Sequence, residues 1–94
     1  MLFADKIRQL REEKKLLQRQ LASVLEIDTP MYSKLERGDR LAKRTQVIAI
    51  ANLLSADENE LLTLWLADKV MEVLEDENEL AGKALEIAQK YVSI

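Results

Sequence analysis

Thirty-one of the 94 side chains carry formal charge, fourteen basic and seventeen acidic, and the two kinds are unevenly placed. Residues 1–44 hold eleven Lys or Arg and seven Asp or Glu, a balance of +4; residues 45–94 hold three and ten, a balance of −7. A basic half points to a polyanion such as a nucleic-acid backbone, and an acidic half points to some other task, such as self-association. The acidic run Glu72, Glu75, Asp76, Glu77 and Glu79 has neither the glycine turn nor the alternating oxygen spacing of a calcium loop. It reads as a solvated helix junction. Paired carboxylates could serve glycoside hydrolysis, but a chain this short has no room for an evident substrate cleft. The absence of cysteine and histidine removes thiol nucleophiles, disulfides, the usual zinc ligands and the commonest general base. Binding is therefore expected rather than catalysis, with no cofactor and no metal.

Lack of cysteine also means that the fold does not depend on an oxidising compartment. Residues Met1 to Lys6 lack the long apolar run of a signal peptide, and nothing in the sequence approaches a bilayer span. A cytoplasmic location without a membrane partner is the expectation.

The elements that must position the charged residues follow from apolar spacing. Apolar residues recur at steps of three and four almost throughout, and no segment alternates at period two for long, so the expected fold is all-α. A first helix runs from about Phe3 to Lys15, with Phe3, Ile7 and Leu10 inward and Lys6, Arg8, Arg11, Glu12 and Glu13 facing water. A second, about Gln18 to Leu25, places Leu21, Ala22, Val24 and Leu25 inward. After the break at Glu26-Ile27-Asp28, a third helix begins at Thr29-Pro30, where proline suits the first turn and Asp28 or Thr29 can cap it. Gly38 is its expected left-handed stop. The fourth helix, about Lys43 to Leu54, is apolar over most of its circumference and should be the most buried. Asp57, with Glu60 three residues on, opens a fifth helix to about Glu75 by a variant of the capping box. Asp76 to Glu79 repeats that pattern before a sixth helix that runs to about Val92. Residues 1–94 thus read as one domain, a compact bundle of five to six helices.

The second and third helices, separated by a tight break within the basic half, have the form of a helix-turn-helix. Ala22 permits close approach, while Ile27, Tyr32 and Leu35 can fill the corner. Four stretches carry a further likeness: Ile7-Arg8-x-Leu10-Arg11, Gln18-x-x-Leu21-Ala22, Ser33-Lys34-Leu35-Glu36-Arg37-Gly38 and Ile50-Ala51-x-x-Leu54. Over about Ile7 to Leu62 the chain resembles the phage-repressor-like, Cro- or Xre-type helix-turn-helix family. That resemblance implies a lambda-repressor-like fold and a DNA-binding transcriptional regulator acting as a dimer. It also implies that Thr29, Pro30, Met31, Ser33 and Lys34 face the major groove, and that Gln18 clamps a phosphate. Arg19, Arg37, Arg40, Lys43 and Arg44 flank the recognition helix and are the further phosphate candidates. In the family pattern Glu36 takes a structural role, paired with nearby basic residues or backbone. Three residues depart from that pattern: Glu26 stands in place of a turn glycine, Leu17 in place of a capping Ser or Thr, and Ala42 where a proline often precedes helix four.

Helix five is apolar over more than half its surface, which exceeds what one buried stripe requires. Leu62, Trp65, Leu66, Val70 and Val73 are accordingly the dimer candidates. Alternatively, helix six covers that second face within the same chain, or is shared across a two-fold axis. The expected division is DNA reading by residues 1–55 and dimerisation by the acidic helices of 56–94. The expected function is a dimeric regulator on a pseudo-palindromic operator, of the kind found among restriction–modification controllers, phage-type repressors and antitoxins. A protein-interaction module that uses the same fold, with a protein partner on the acidic C-terminal helices, is the alternative.

Overall fold

The computed structural model describes residues 1–92 and contains six helices: α1 (Leu2–Glu13), α2 (Gln18–Leu25), α3 (Thr29–Arg37), α4 (Arg44–Leu54), α5 (Glu58–Val73) and α6 (Ala81–Tyr91). No strand occurs among the described residues, so the all-α expectation holds. The first five helices share one core. Phe3 and Ile7 of α1, Leu21 and Ala22 of α2, Tyr32 and Leu35 of α3, four residues of α4 and three of α5 all contribute to it. Central α4 packs on α1, α2 and α5, with Val47, Ile50, Ala51 and Leu54 buried. One expected core residue lies outside: Val24 is 48% exposed, because the face of α2 that meets the bundle is centred on Leu21 and Ala22 and Val24 lies beyond its edge.

Helices α1 to α4 end by one device. A residue just past each helix, the second after α1 and the first after the other three, takes a left-handed backbone, and the next amide reaches back to the carbonyl five residues earlier: Leu16 to Arg11, Ile27 to Ala22, Asp39 to Lys34 and Ala56 to Ala51. Only one of the four left-handed positions is a glycine, Gly38 at φ 78°; the others are Lys15 at φ 57°, Glu26 at φ 57° and Ser55 at φ 53°. Left-handed backbone brings Cβ too close to the carbonyl oxygen in any non-glycine residue. In the α2–α3 turn Glu26 therefore carries the strain that a glycine there would avoid.

Starts are more varied. Asp28 caps α3, accepting from the Met31 amide at 2.7 Å, and Asp57 caps α5, accepting from the Asn59 amide at 2.9 Å. At α2 and α4 the N-cap residues are Leu17 and Lys43, which lack a suitable acceptor. Gln20 and Gln46 form the other half of a capping box, accepting from the Leu17 and Lys43 amides at 2.7 and 2.8 Å. The start of α1 is capped from far away: Asp68 on α5 accepts from the Leu2 and Phe3 amides, both at 2.9 Å.

The sixth helix differs from expectation. It begins at Ala81 without a side-chain cap, since Asp76 lies in the connecting turn with left-handed backbone, φ 67°. None of its residues is buried, and no helix packs substantially against it. The radius of gyration, 15.0 Å, exceeds the roughly 12 to 13 Å of a compact chain of this length, as a helix standing off the bundle requires.

Candidate nucleic-acid interface

Recognition by a helix requires one side to be held and the other free. On α3, Tyr32, Leu35 and Glu36 are buried, whereas Thr29, Pro30, Lys34 and Arg37 are exposed and Met31 and Ser33 are half-buried. At 100° per residue Pro30, Ser33, Lys34 and Arg37 share the side opposite the buried three. The helix therefore presents a mixed apolar and cationic face at one side of the bundle.

What holds that helix is a buried charge network. The Arg11 guanidinium donates from Nε and Nη2 to both carboxylate oxygens of Glu36, each at 2.8 Å, and from Nη1 to the Leu16 carbonyl at 2.9 Å. Gln18 Nε2 donates to Glu36 at 3.3 Å. These contacts tie α1, the start of α2 and the far side of α3 to a single carboxylate. Burial alone would raise the Glu36 pKa, but hydrogen bonding from Arg11 and Gln18 and the Arg11 charge outweigh it and hold the carboxylate below its ordinary value. Burial, followed by the adjacent Glu36, pushes the Tyr32 phenol far above its own. Glu36 is thus the structural residue that the family pattern implies. Arg11, in contrast, does not face water as its helix position suggested, because Glu36 draws it inward to 14% side-chain exposure.

The flanking cations fall into groups. Arg37 is exposed and pairs with Asp39 at 3.0 Å. Arg19, Lys34, Arg40 and Lys43 are exposed and form no salt bridge among the described residues. Arg44 stands 6.0 Å from the Trp65 ring centroid, and Lys69 stands over the same ring at 3.8 Å. Gln18 is half-buried, with its amide nitrogen engaged by Glu36. The side-chain amide is therefore oriented from within the fold, at the N-terminus of α2 where backbone N–H groups and the helix dipole favour an anion.

The dimer candidates separate sharply. Leu62 and Trp65 are 7% and 4% exposed, taken up by the chain's own core, and the Trp65 indole donates to the Ala42 carbonyl at 2.7 Å. That bond pins the segment leading to Lys43 and Arg44. Leu66, Val70 and Val73 remain on the surface, at 46%, 45% and 78% exposure. Helix α6 does not cover them within the chain.

Asp68 was missed by sequence reasoning although a signal existed. With Leu61 and Trp65 it forms the buried i, i+4, i+7 stripe of α5, and an acid in such a stripe needs donors that its own helix cannot supply. The Leu2 and Phe3 amides, which have no partner within their own helix, are those donors.

This architecture, two short helices crossing at a tight turn within a five-helix core, agrees with the family comparison: the model described as "Helix-turn-helix domain" matches residues 2–64. The chain belongs to the helix-turn-helix domain family. Searches of curated proteins and of solved structures returned no significant match. The matched span takes in α1 to α4 and the first half of α5 and stops before α6. No described helix is long and apolar enough to cross a membrane.

Proposed function

We propose that this chain is a sequence-specific regulator that binds double-stranded DNA as a dimer on a pseudo-palindromic operator. In this reading residues 1–55 read DNA and the acidic residues 56–94 join two copies. The single observation that carries it is the side of α3 opposite its buried residues, which holds Pro30, Ser33 and Lys34, in a stretch of sequence whose cations Arg19, Arg40 and Lys43 are exposed. Lys34 donates to guanine O6 or N7, Thr29 and Ser33 serve either acceptors or donors, and Pro30 and Met31 pack on thymine methyls. Gln18, Arg19, Arg37, Arg40, Lys43 and Arg44 hold phosphates, fixing register without reading sequence. Regulation then works by occlusion or recruitment at a promoter, as in restriction–modification controllers, phage-type repressors and antitoxins.

Duplex binding across a salt series tests this directly. Lys34→Ala is expected to cost about 1–3 kcal/mol on the preferred site and to relax preference at one base pair. Arg40→Ala is expected to weaken all sequences alike and reduce the salt slope by about one. Indifference of both variants, with no salt dependence in the parent, contradicts the proposal and favours a protein-interaction module.

A further inference from the structure

The eleven residues of α6 form a helix without a surface beneath it: none is buried, while Leu85, Ile87 and Tyr91 are 46%, 48% and 85% exposed. Isolated helices shorter than about 12–15 residues are marginal in water. An amphipathic helix of this length therefore needs something to lie on. Nearby in sequence, the second half of α5 exposes Leu66, Val70 and Val73, which the chain's own α6 leaves uncovered.

We propose that α6 is exchanged between two copies of this chain, lying along the exposed second half of the partner's α5 while the partner's α6 returns the contact. This rests on the dimeric reading above and names its interface. Charge favours the pairing. Helix α6 carries Lys83, which pairs with Glu86 at 3.9 Å, and Lys90, whereas the end of α5 and the turn after it carry Glu72, Glu75, Asp76, Glu77 and Glu79 and the one base of α5, Lys69, stands over Trp65. Pairing α6 with α6 would set two helices of net positive charge together and leave α5 bare. Apolar surface favours it too: α5 leaves Leu66, Val70 and Val73 uncovered and α6 leaves Leu85, Ile87 and Tyr91 uncovered, so laying one helix on the other removes apolar surface of both from water. The contact is isologous, so it closes at two copies.

The chain has no cysteine, so single thiols report neighbours cleanly. Full-length Val70→Cys and Ile87→Cys chains carrying different tags are mixed and treated with a flexible bis-maleimide. Exchange predicts a covalent dimer of one chain of each kind, formed severalfold more than by either variant alone. Ile87→Asp is expected to weaken self-association about tenfold in sedimentation equilibrium, with thermal unfolding unchanged at concentrations where both chains are monomeric, because α6 lies outside the chain's own core. Crosslinking of Ile87→Cys only to itself overturns the exchange, as does a chain that stays monomeric. Duplex binding by the same samples separates the two claims. A 70-to-87 dimer that ignores DNA defeats the regulator reading alone, and a DNA-binding chain without that crosslink defeats the exchange alone.

Discussion

Glu36 is the residue on which the recognition helix depends, because one buried carboxylate collects Arg11, Gln18 and the neighbourhood of Tyr32. Removing one member of a buried ion pair leaves the other uncompensated. Glu36→Gln is therefore expected to destabilise the fold by about 3 kcal/mol at neutral pH, measured by urea unfolding. The acid limb gives the sign. The folded carboxylate has a pKa below the unfolded value of about 4.5, so its contribution is present above that pH and is lost as pH falls through the folded pKa. The gap between parent and Glu36→Gln should accordingly narrow below about pH 4.5; a constant gap would mean that the carboxylate is not held by charge. The pairing partner was hidden from the sequence because Arg11 is 25 residues away, on a helix face that its own neighbours mark as solvated. The same holds for Asp68, whose partners Leu2 and Phe3 lie 66 and 65 residues away. Short-range features, in contrast, were readable: Asp28 as one of two candidate caps of α3, and the one observed, Gly38 as its stop, Tyr32 and Leu35 as the filling of the corner.

At the scale of elements, starts and stops follow local chemistry closely enough that α2 and α3 have the boundaries their residue types indicate. Where the residue type is wrong for the role, the structure keeps the role and accepts a cost. Glu26 and Lys15 occupy left-handed positions suited to glycine, and Leu17 occupies an N-cap suited to serine. Glu26→Gly should stabilise the fold by up to about 1 kcal/mol, the relief of the Cβ clash outweighing the added freedom of the unfolded chain. Leu17→Ser should add about 1 kcal/mol by supplying the missing acceptor. Thermal unfolding checks both, and a lowered midpoint in either variant would show that the native residue makes a contact worth more than the backbone gain. The least legible element was α6. Its start was sought in the acids 76–79, which lie in the turn and cap nothing, and its packing could not be read because a helix with an apolar face looks the same in sequence whether its own chain or another covers that face.

For the whole molecule, the charge division seen in the sequence falls between helices: the excess of bases belongs to residues 1–44 and the excess of acids to α5 and the turn after it. The cations that flank α3 lie among the first 44 residues, while the acids of α5 and the following turn accompany exposed apolar side chains near α6. On the proposed pseudo-palindrome, two recognition helices would meet half-sites about 34 Å apart, one turn of B-form DNA. The direct measurement is selection of a random duplex pool on the purified full-length chain at physiological salt, followed by sequencing of the retained duplexes. The account predicts enrichment of an inverted repeat whose half-sites lie about one helical turn apart. Retention without enrichment, or no retention at all, would contradict it.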